Sequence, residues 1–227
     1  FLFPELRDMN GTELALIDEG DGKYTCPMPG SQVTVTARFK QTDTGTENPF
    51  TDISKNDYFY DAVLWAVEEG ITSGTSDTTF SPNVSCTRAQ MVTFLWRVSG
   101  FPKASITNPF TDVSADAYYY DAVLWAVEQG ITGGTGDGKF SPDAPCTRAQ
   151  MATFLWRAAG SPAPASNVSA FTDVPEGSWY AKAVQWAYEQ NITNGTGDGK
   201  FSPDATCTRA QMVQMLKISN QEFHVAK

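Results

Sequence analysis

The 227-residue chain is 41% apolar and 12% aromatic, a composition that supports a buried core and excludes a disordered polar chain. A formal net charge of -10 argues against general nucleic-acid binding, because no basic face is available to recruit phosphates. No apolar stretch is long enough to span a bilayer, so membrane insertion is not expected.

The chain starts at Phe1–Glu5 (FLFPE) with neither an initiator Met nor the basic start and small-residue site of a signal peptide, which suggests a processed product or an excised fragment. Within residues 1–43 one segment, Lys23–Phe39, alternates Val33, Val35 and Ala37 with polar partners and predicts a short N-terminal β segment. One strand pair is marginal alone, so this part is expected to be a truncated β-rich module or a linker. Its YTCPMP and VTVTA stretches are similar to the ends of small β-rich repeats in bacterial surface proteins.

From Asn48 onward the chain repeats itself. NPFTD stands at Asn48–Asp52 and Asn108–Asp112, and AFTD at Ala170–Asp173, at offsets of 60 and 61 residues. Three units follow, 48–107, 108–168 and 169–227. Each opens with FTD and a predicted helix, Tyr58–Glu69 in the first, where Ala62, Trp65, Ala66 and Glu69 fall at helical spacing beside Val63 and Val67. Gly70, Gly130 and Asn191 stand where a left-handed C-terminal cap is wanted.

A turn-rich segment follows, GTGDGKFSPD at Gly134–Asp143 in the second unit, and leads to CTRAQM at Cys86–Met91, Cys146–Met151 and Cys207–Met212. Thr87, Thr147 and Thr208 read as N-caps, with Gln90, Gln150 and Gln211 three positions on, the pattern of a capping box. The second helix buries Met91, Phe94, Leu95 and Val98 and stops at Gly100, with Gly160 as the matching stop. In unit three, Met215–Ile218 (MLKI) replaces FLWR at Phe94–Arg97 and Phe154–Arg157, which predicts an altered last helix.

Cys86, Cys146 and Cys207 sit just outside the caps, in a slot suited to a hydrophobic staple. Equivalent slots of repeated units point to free, buried thiols rather than a disulfide framework. No CxxC occurs and His224 is the sole histidine, so no zinc site is expected.

Cap and staple leave the arginine unexplained. Arg88, Arg148 and Arg209 occupy the first position of a helix, where unpaired N–H groups and the positive dipole end favour an anion and a guanidinium adds bidentate bonding to a carboxylate. The structural alternative is an ion pair, for instance to Asp52, Asp112 or Asp173. Trp65, Trp125 and Trp186 either stack their apolar faces on a ligand or fill the core. The FTD aspartates Asp52, Asp112 and Asp173 either cap the following turn or contact ligand hydroxyls. Gly74, Gly134 and Gly195 supply positive φ or close backbone approach, for a turn or for a ligand. The tyrosine runs Tyr58–Tyr60 and Tyr118–Tyr120 are expected at helix starts, packed between units.

The sequence of FTD, a tryptophan helix ending in GIT, GTGDGKFSPD and TRAQ resembles the S-layer homology domain, three times over and across about four-fifths of the chain. The family often has an aliphatic residue at the cysteine slot and TRAE for TRAQ; unit one has TSDTTF (Thr75–Phe80) where the others have the GDG turn. The resemblance implies a mainly α fold in which three tandem repeats form a pseudo-threefold trimer within one chain. It also implies that inter-repeat grooves bind secondary cell-wall polysaccharide, in many members one carrying a pyruvate ketal. The expected role is non-covalent anchoring of a secreted protein at the cell wall or surface, as a monomer, without cofactor or metal.

Three rivals stand beside this reading. Asn194, Thr196, Asp198 and Gly199 mimic the start of a calcium loop, but Ala205 stands where the terminal Glu is required, and a type I′-like turn serves equally. A glycosidase could draw on Asp52 and its copies, yet triplicating a catalytic pair is an odd design. A structural or adhesive surface protein would act through protein contacts of the exposed aromatics.

Overall fold

A computed structural model describes residues 6–7, 13–14, 17–20, 23–25, 47–166 and 168–223. The chain divides into two units, Phe1–Glu47 and Asn48–Lys227. In the first, β1 (Leu6–Arg7) pairs antiparallel with β2 (Glu13–Leu14), and β3 (Ile17–Gly20) with β4 (Lys23–Thr25). The expected alternation at Val33, Val35 and Ala37 lies outside the described residues, as do Cys26 and His224.

Among the described residues the second unit holds six helices, two per repeat: α1 (Tyr60–Glu68), α2 (Arg88–Val98), α3 (Tyr120–Glu128), α4 (Arg148–Ala158), α5 (Ala181–Glu189) and α6 (Arg209–Phe223). None is long and apolar enough to cross a membrane. Local chemistry sets their ends. Thr87 Oγ1 accepts from the Gln90 N–H and Gln90 Oε1 from the Thr87 N–H, both at 3.2 Å, and the same reciprocal pair opens α4 and α6. Gly70 and Gly130 follow the first helices at φ +67° and +69°, and Asn191 takes the same left-handed conformation at +55°. The first helix starts at Tyr60 rather than Tyr58, because Asp57 Oδ2 accepts from the Ser54 N–H and holds residues 54–57 in a turn. The last helix continues to Phe223, since Gln221 stands where Gly100 and Gly160 stop the others.

The helices pack across the repeats. α2, α4 and α6 meet one another at the centre; α3 lies on α2, α5 on α4, and α1 on α6. Each repeat therefore lays its first helix on the second helix of the repeat before it, and the third repeat closes on the first. Backbone bonds between the cysteines close the same ring: Cys86 N–H donates to Cys207 O, Cys207 N–H to Cys146 O, and Cys146 N–H to Cys86 O, at 2.8–2.9 Å. The three cysteines are free and fully buried around this pseudo-threefold axis, where burial raises the Cys146 and Cys207 thiols to about 12 and Cys86 higher still. Their slot is the hub of the ring as well as a helix-start position.

Candidate functional site

The helix ends are not the open anion sites that the sequence predicts. Arg88 N–H donates to Ala144 O and Ala89 N–H to Pro142 O, both in the next repeat. Arg148 and Ala149 bond Ala205 and Pro203 in the same way, and Arg209 and Ala210 bond Val84 and Pro82. With the third N–H taken by the threonine cap, the N–H groups that would grip an anion are consumed by the neighbouring loop.

The arginine side chains follow the backbone across the same seam. Arg88, Arg148 and Arg209 are only 3%, 4% and 2% exposed. Arg88 Nε donates to Phe140 O at 2.9 Å, Arg148 Nε to Phe201 O at 2.8 Å, and Arg209 Nε to Phe80 O at 2.9 Å. Each guanidinium carbon also lies 4.7–4.8 Å from the centre of that phenylalanine ring. Repeat one thus holds repeat two, two holds three, and three holds one. No carboxylate pairs with any of the three guanidiniums among the described residues, and Nη2 of both Arg88 and Arg209 is buried without a hydrogen-bond partner. Burial lowers the pKa of all three, opposed for Arg88 by Cys146 and Asp112.

The FTD aspartates support this seam from the other side. Asp112 Oδ1 and Oδ2 accept from the Phe140 and Ser141 N–H groups at 2.8 Å, and Asp52 and Asp173 hold Phe80–Ser81 and Phe201–Ser202 likewise. They fix the loop some 28 residues ahead that presents its carbonyl to the arginine, rather than the following turn. Those backbone bonds outweigh the upward push of burial and hold the Asp112 and Asp173 carboxyls below the usual range. Gly74, Gly134 and Gly195 sit behind the same loop at φ +83° to +90°. A Cβ on Gly134 would run into the Lys139 carbonyl oxygen and lie 2.6 Å from a ring carbon of Phe110, so the close approach is both to the turn's own backbone and to the FTD phenylalanine. The loop tip is a two-residue turn in which Asp137 and Gly138 both take positive φ, the I′ geometry.

The three tryptophans do not present equivalent faces. Trp186 and Trp125 are in the core at 1% and 6% exposure, and Trp65 is half-buried against it. The exposed aromatics lie seven residues earlier, at Tyr58, Tyr118 and Trp179, which are 65%, 61% and 61% exposed. Each is braced edge-to-face by its neighbour, Phe59, Tyr119 or Tyr180, at 5.0–5.1 Å between centroids. Two of them lie within electrostatic reach of a seam arginine. The Tyr58 hydroxyl is raised by burial and Cys207 and lowered by Arg148; Tyr118 is raised by burial, Cys86, Tyr119 and Asp143 and lowered by Arg209. Trp179 holds the third equivalent position, for which threefold order supplies Arg88. The spacing of these three aromatics, 60 and 61 residues, was available in the sequence; their exposure was not.

Comparison with known proteins agrees with the repeat pattern. The model of the S-layer homology domain matches residues 49–92, 109–152 and 170–213. A cell surface protein of Thermoanaerobacter kivui is 43% identical over 109 residues, 46% of this chain and 14% of that protein. An endoglucanase of Bacillus sp. (strain KSM-635) is 33% identical over 173 residues, covering 74% of this chain and 18% of the enzyme. An S-layer protein of Bacillus thuringiensis subsp. finitimus is 27% identical over 183 residues, 77% and 21% of the two chains. The chain therefore corresponds to about a fifth or less of the length of each of these three relatives.

Proposed function

The chain belongs to the S-layer homology domain family, and on that footing we propose that it anchors a surface protein non-covalently to the cell wall. The ligand is secondary cell-wall polysaccharide, held in the grooves between repeats at the outer surface of the cell, by a protein that acts as a monomer. Relatives named for surface proteins, S-layer proteins and a polysaccharide-cleaving enzyme share only this part of their length, which fits a module that attaches different cargoes.

The observation that carries the reading is a guanidinium buried at each seam with no carboxylate partner among the described residues, with the exposed aromatics Tyr58 and Tyr118 within electrostatic reach of Arg148 and Arg209. The aromatic offers an apolar face to a pyranose ring. The arginine, held by Nε, keeps a positive charge close to the groove floor, where low dielectric strengthens its attraction for an anionic substituent such as a pyruvate ketal. This local field acts against a chain of net charge -10, so it selects an acidic group seated in the groove rather than anionic surfaces at large. The role is binding rather than catalysis. Both oxygens of each FTD carboxylate already accept backbone N–H bonds, which leaves them unsuited to proton transfer.

Sedimentation with purified sacculi tests the reading. The protein is expected to pellet with native sacculi and to stay in solution once hydrofluoric acid has stripped the wall polysaccharide. Binding that survives the stripping refutes it.

A further inference from the structure

The three lobes of the ring are not identical, and the lobe between α4 and α5 holds a cavity. Where α1 and α3 begin with Tyr60 and Tyr120, α5 begins with Ala181. Tyr60 is 8% exposed and Tyr120 half-buried, so in repeats one and two a phenol ring fills the space that Ala181 leaves empty. The facing helix varies too. Trp156 of α4 faces α5, whereas in the lobe of α6 and α1 its place is taken by Lys217, whose Nζ donates to Asp61 O at 3.2 Å. A tryptophan opposite an alanine occurs only between α4 and α5.

The result is a cavity of about 510 Å³ lined by Trp156, Trp179, Ala181, Lys182, Glu176 and Ser178, among others. Its volume lies inside the range of roughly 300–1,000 Å³ typical of ligand pockets. One wall is preformed. Gln185 Oε1 accepts from the Ala170 N–H, Gln185 Nε2 donates to Glu189 Oε1, and Glu189 accepts the Ala165 and Ser166 N–H groups, which pins the linker beside the cavity. Ser178 Oγ is buried and has no partner, and its counterparts are Asp57, whose carboxylate caps a turn, and Ala117.

We propose that this cavity, which shares Trp179 with the row of exposed aromatics, is a further saccharide subsite between repeats two and three, which takes one or two uncharged pyranose units. Two indoles supply apolar faces for the ring. The orphan hydroxyl of Ser178, Lys182 and Glu176 supply donor and acceptor groups around its hydroxyls. One cation and one anion in the lining leave no net charge to favour an acidic sugar. The subsite rests on the polysaccharide reading and extends it, lengthening the stretch of glycan bound at the junction of repeats two and three.

The probes are cellobiose and chitobiose, titrated into ¹⁵N-labelled protein while the tryptophan indole N–H resonances are followed, with glucuronic acid as the charged comparison. A saturable shift of the Trp156 and Trp179 signals with a neutral disaccharide is expected. Ala181→Tyr restores the residue that repeats one and two already accommodate, so it should fold, and it should weaken the titration by about tenfold or more. No shift with either disaccharide, an equal shift in Ala181→Tyr, or preference for glucuronic acid overturns the inference. Sacculus sedimentation of Ala181→Tyr, run in parallel, separates the two levels. Retained polysaccharide-dependent pelleting with no disaccharide titration in the native protein sinks the subsite and leaves the anchoring reading standing.

Discussion

Arg88→Ala is the substitution on which the sequence and the structure disagree most sharply. The sequence reading makes the residue a ligand contact, so its loss weakens wall binding and leaves the melting temperature nearly unchanged. The structure makes it the joint between repeats one and two. Removing it orphans Phe140 O, an acceptor engaged at 2.9 Å, at a cost of about 1–3 kcal/mol. It also removes guanidinium contacts 4.8 and 5.5 Å from the Phe140 and Phe154 ring centres, a desolvated interaction of about 2 kcal/mol. Burial of the aliphatic stem adds about 1–2 kcal/mol. Against these stands the release of a buried charge and of an unpartnered Nη2, which returns about 1–3 kcal/mol. The net loss is about 3 kcal/mol, which for a domain of this size lowers the melting temperature by roughly 6–12 °C. Scanning calorimetry of the native protein and the variant is the assay. A variant that melts within about 2 °C of the native protein and yet fails to bind sacculi would refute the clamp and restore the ligand-only role.

Other perturbations probe the same seam. Gly134→Ala should cost about 3 kcal/mol, because its Cβ would meet the Lys139 carbonyl and the Phe110 ring at positive φ; Gly130→Ala, at φ +69° in open space, should cost only about 1 kcal/mol, and urea unfolding of the pair measures the contrast. Asp112 and Asp173 have depressed folded pKa values, so their stabilisation is complete above the ordinary aspartate range and is lost as pH falls through the lower folded values. Asp112→Asn should therefore lower stability at neutral pH by about 1–2 kcal/mol and flatten the loss of stability below about pH 4, as read from denaturation midpoints across the acid range. Cys86, Cys146 and Cys207 should resist iodoacetamide at pH 8 in the folded protein and label fully in denaturant, as mass mapping would show.

What the sequence made legible is what local chemistry decides. The Thr–Gln reciprocal caps, the left-handed Gly70, Gly130 and Asn191, and the sixty-residue period all involve partners within a few residues or a bare self-comparison, and all stand in the structure. The arginines were singled out correctly as the residues that the cap does not explain. Their partners were not legible: Arg209 bonds a carbonyl 129 residues away, and a backbone carbonyl leaves no residue-type signature to search for. The tryptophans stay open between core and ligand in the sequence for a related reason. One helical column holds Trp65, Trp125 and Trp186, but packing against the preceding repeat, which no periodicity reports, decides how far each is buried. The runs Tyr58–Tyr60 and Tyr118–Tyr120 are expected from the sequence at helix starts packed between units, whereas Tyr58 and Tyr118, like Trp179, are exposed. They precede the helices, because the turns before α1, α3 and α5 take up those positions.

The central claim is that a buried guanidinium with no carboxylate partner among the described residues, within electrostatic reach of an exposed aromatic, selects an acidic wall glycan. Calorimetric titration with purified wall polysaccharide, before and after mild acid has removed its ketal-linked pyruvate, tests that claim most directly. The account expects binding by the untreated glycan, weakened at least about tenfold by removal of the acid groups, in line with loss of a charge-assisted contact. Equal affinity for both glycans would contradict it.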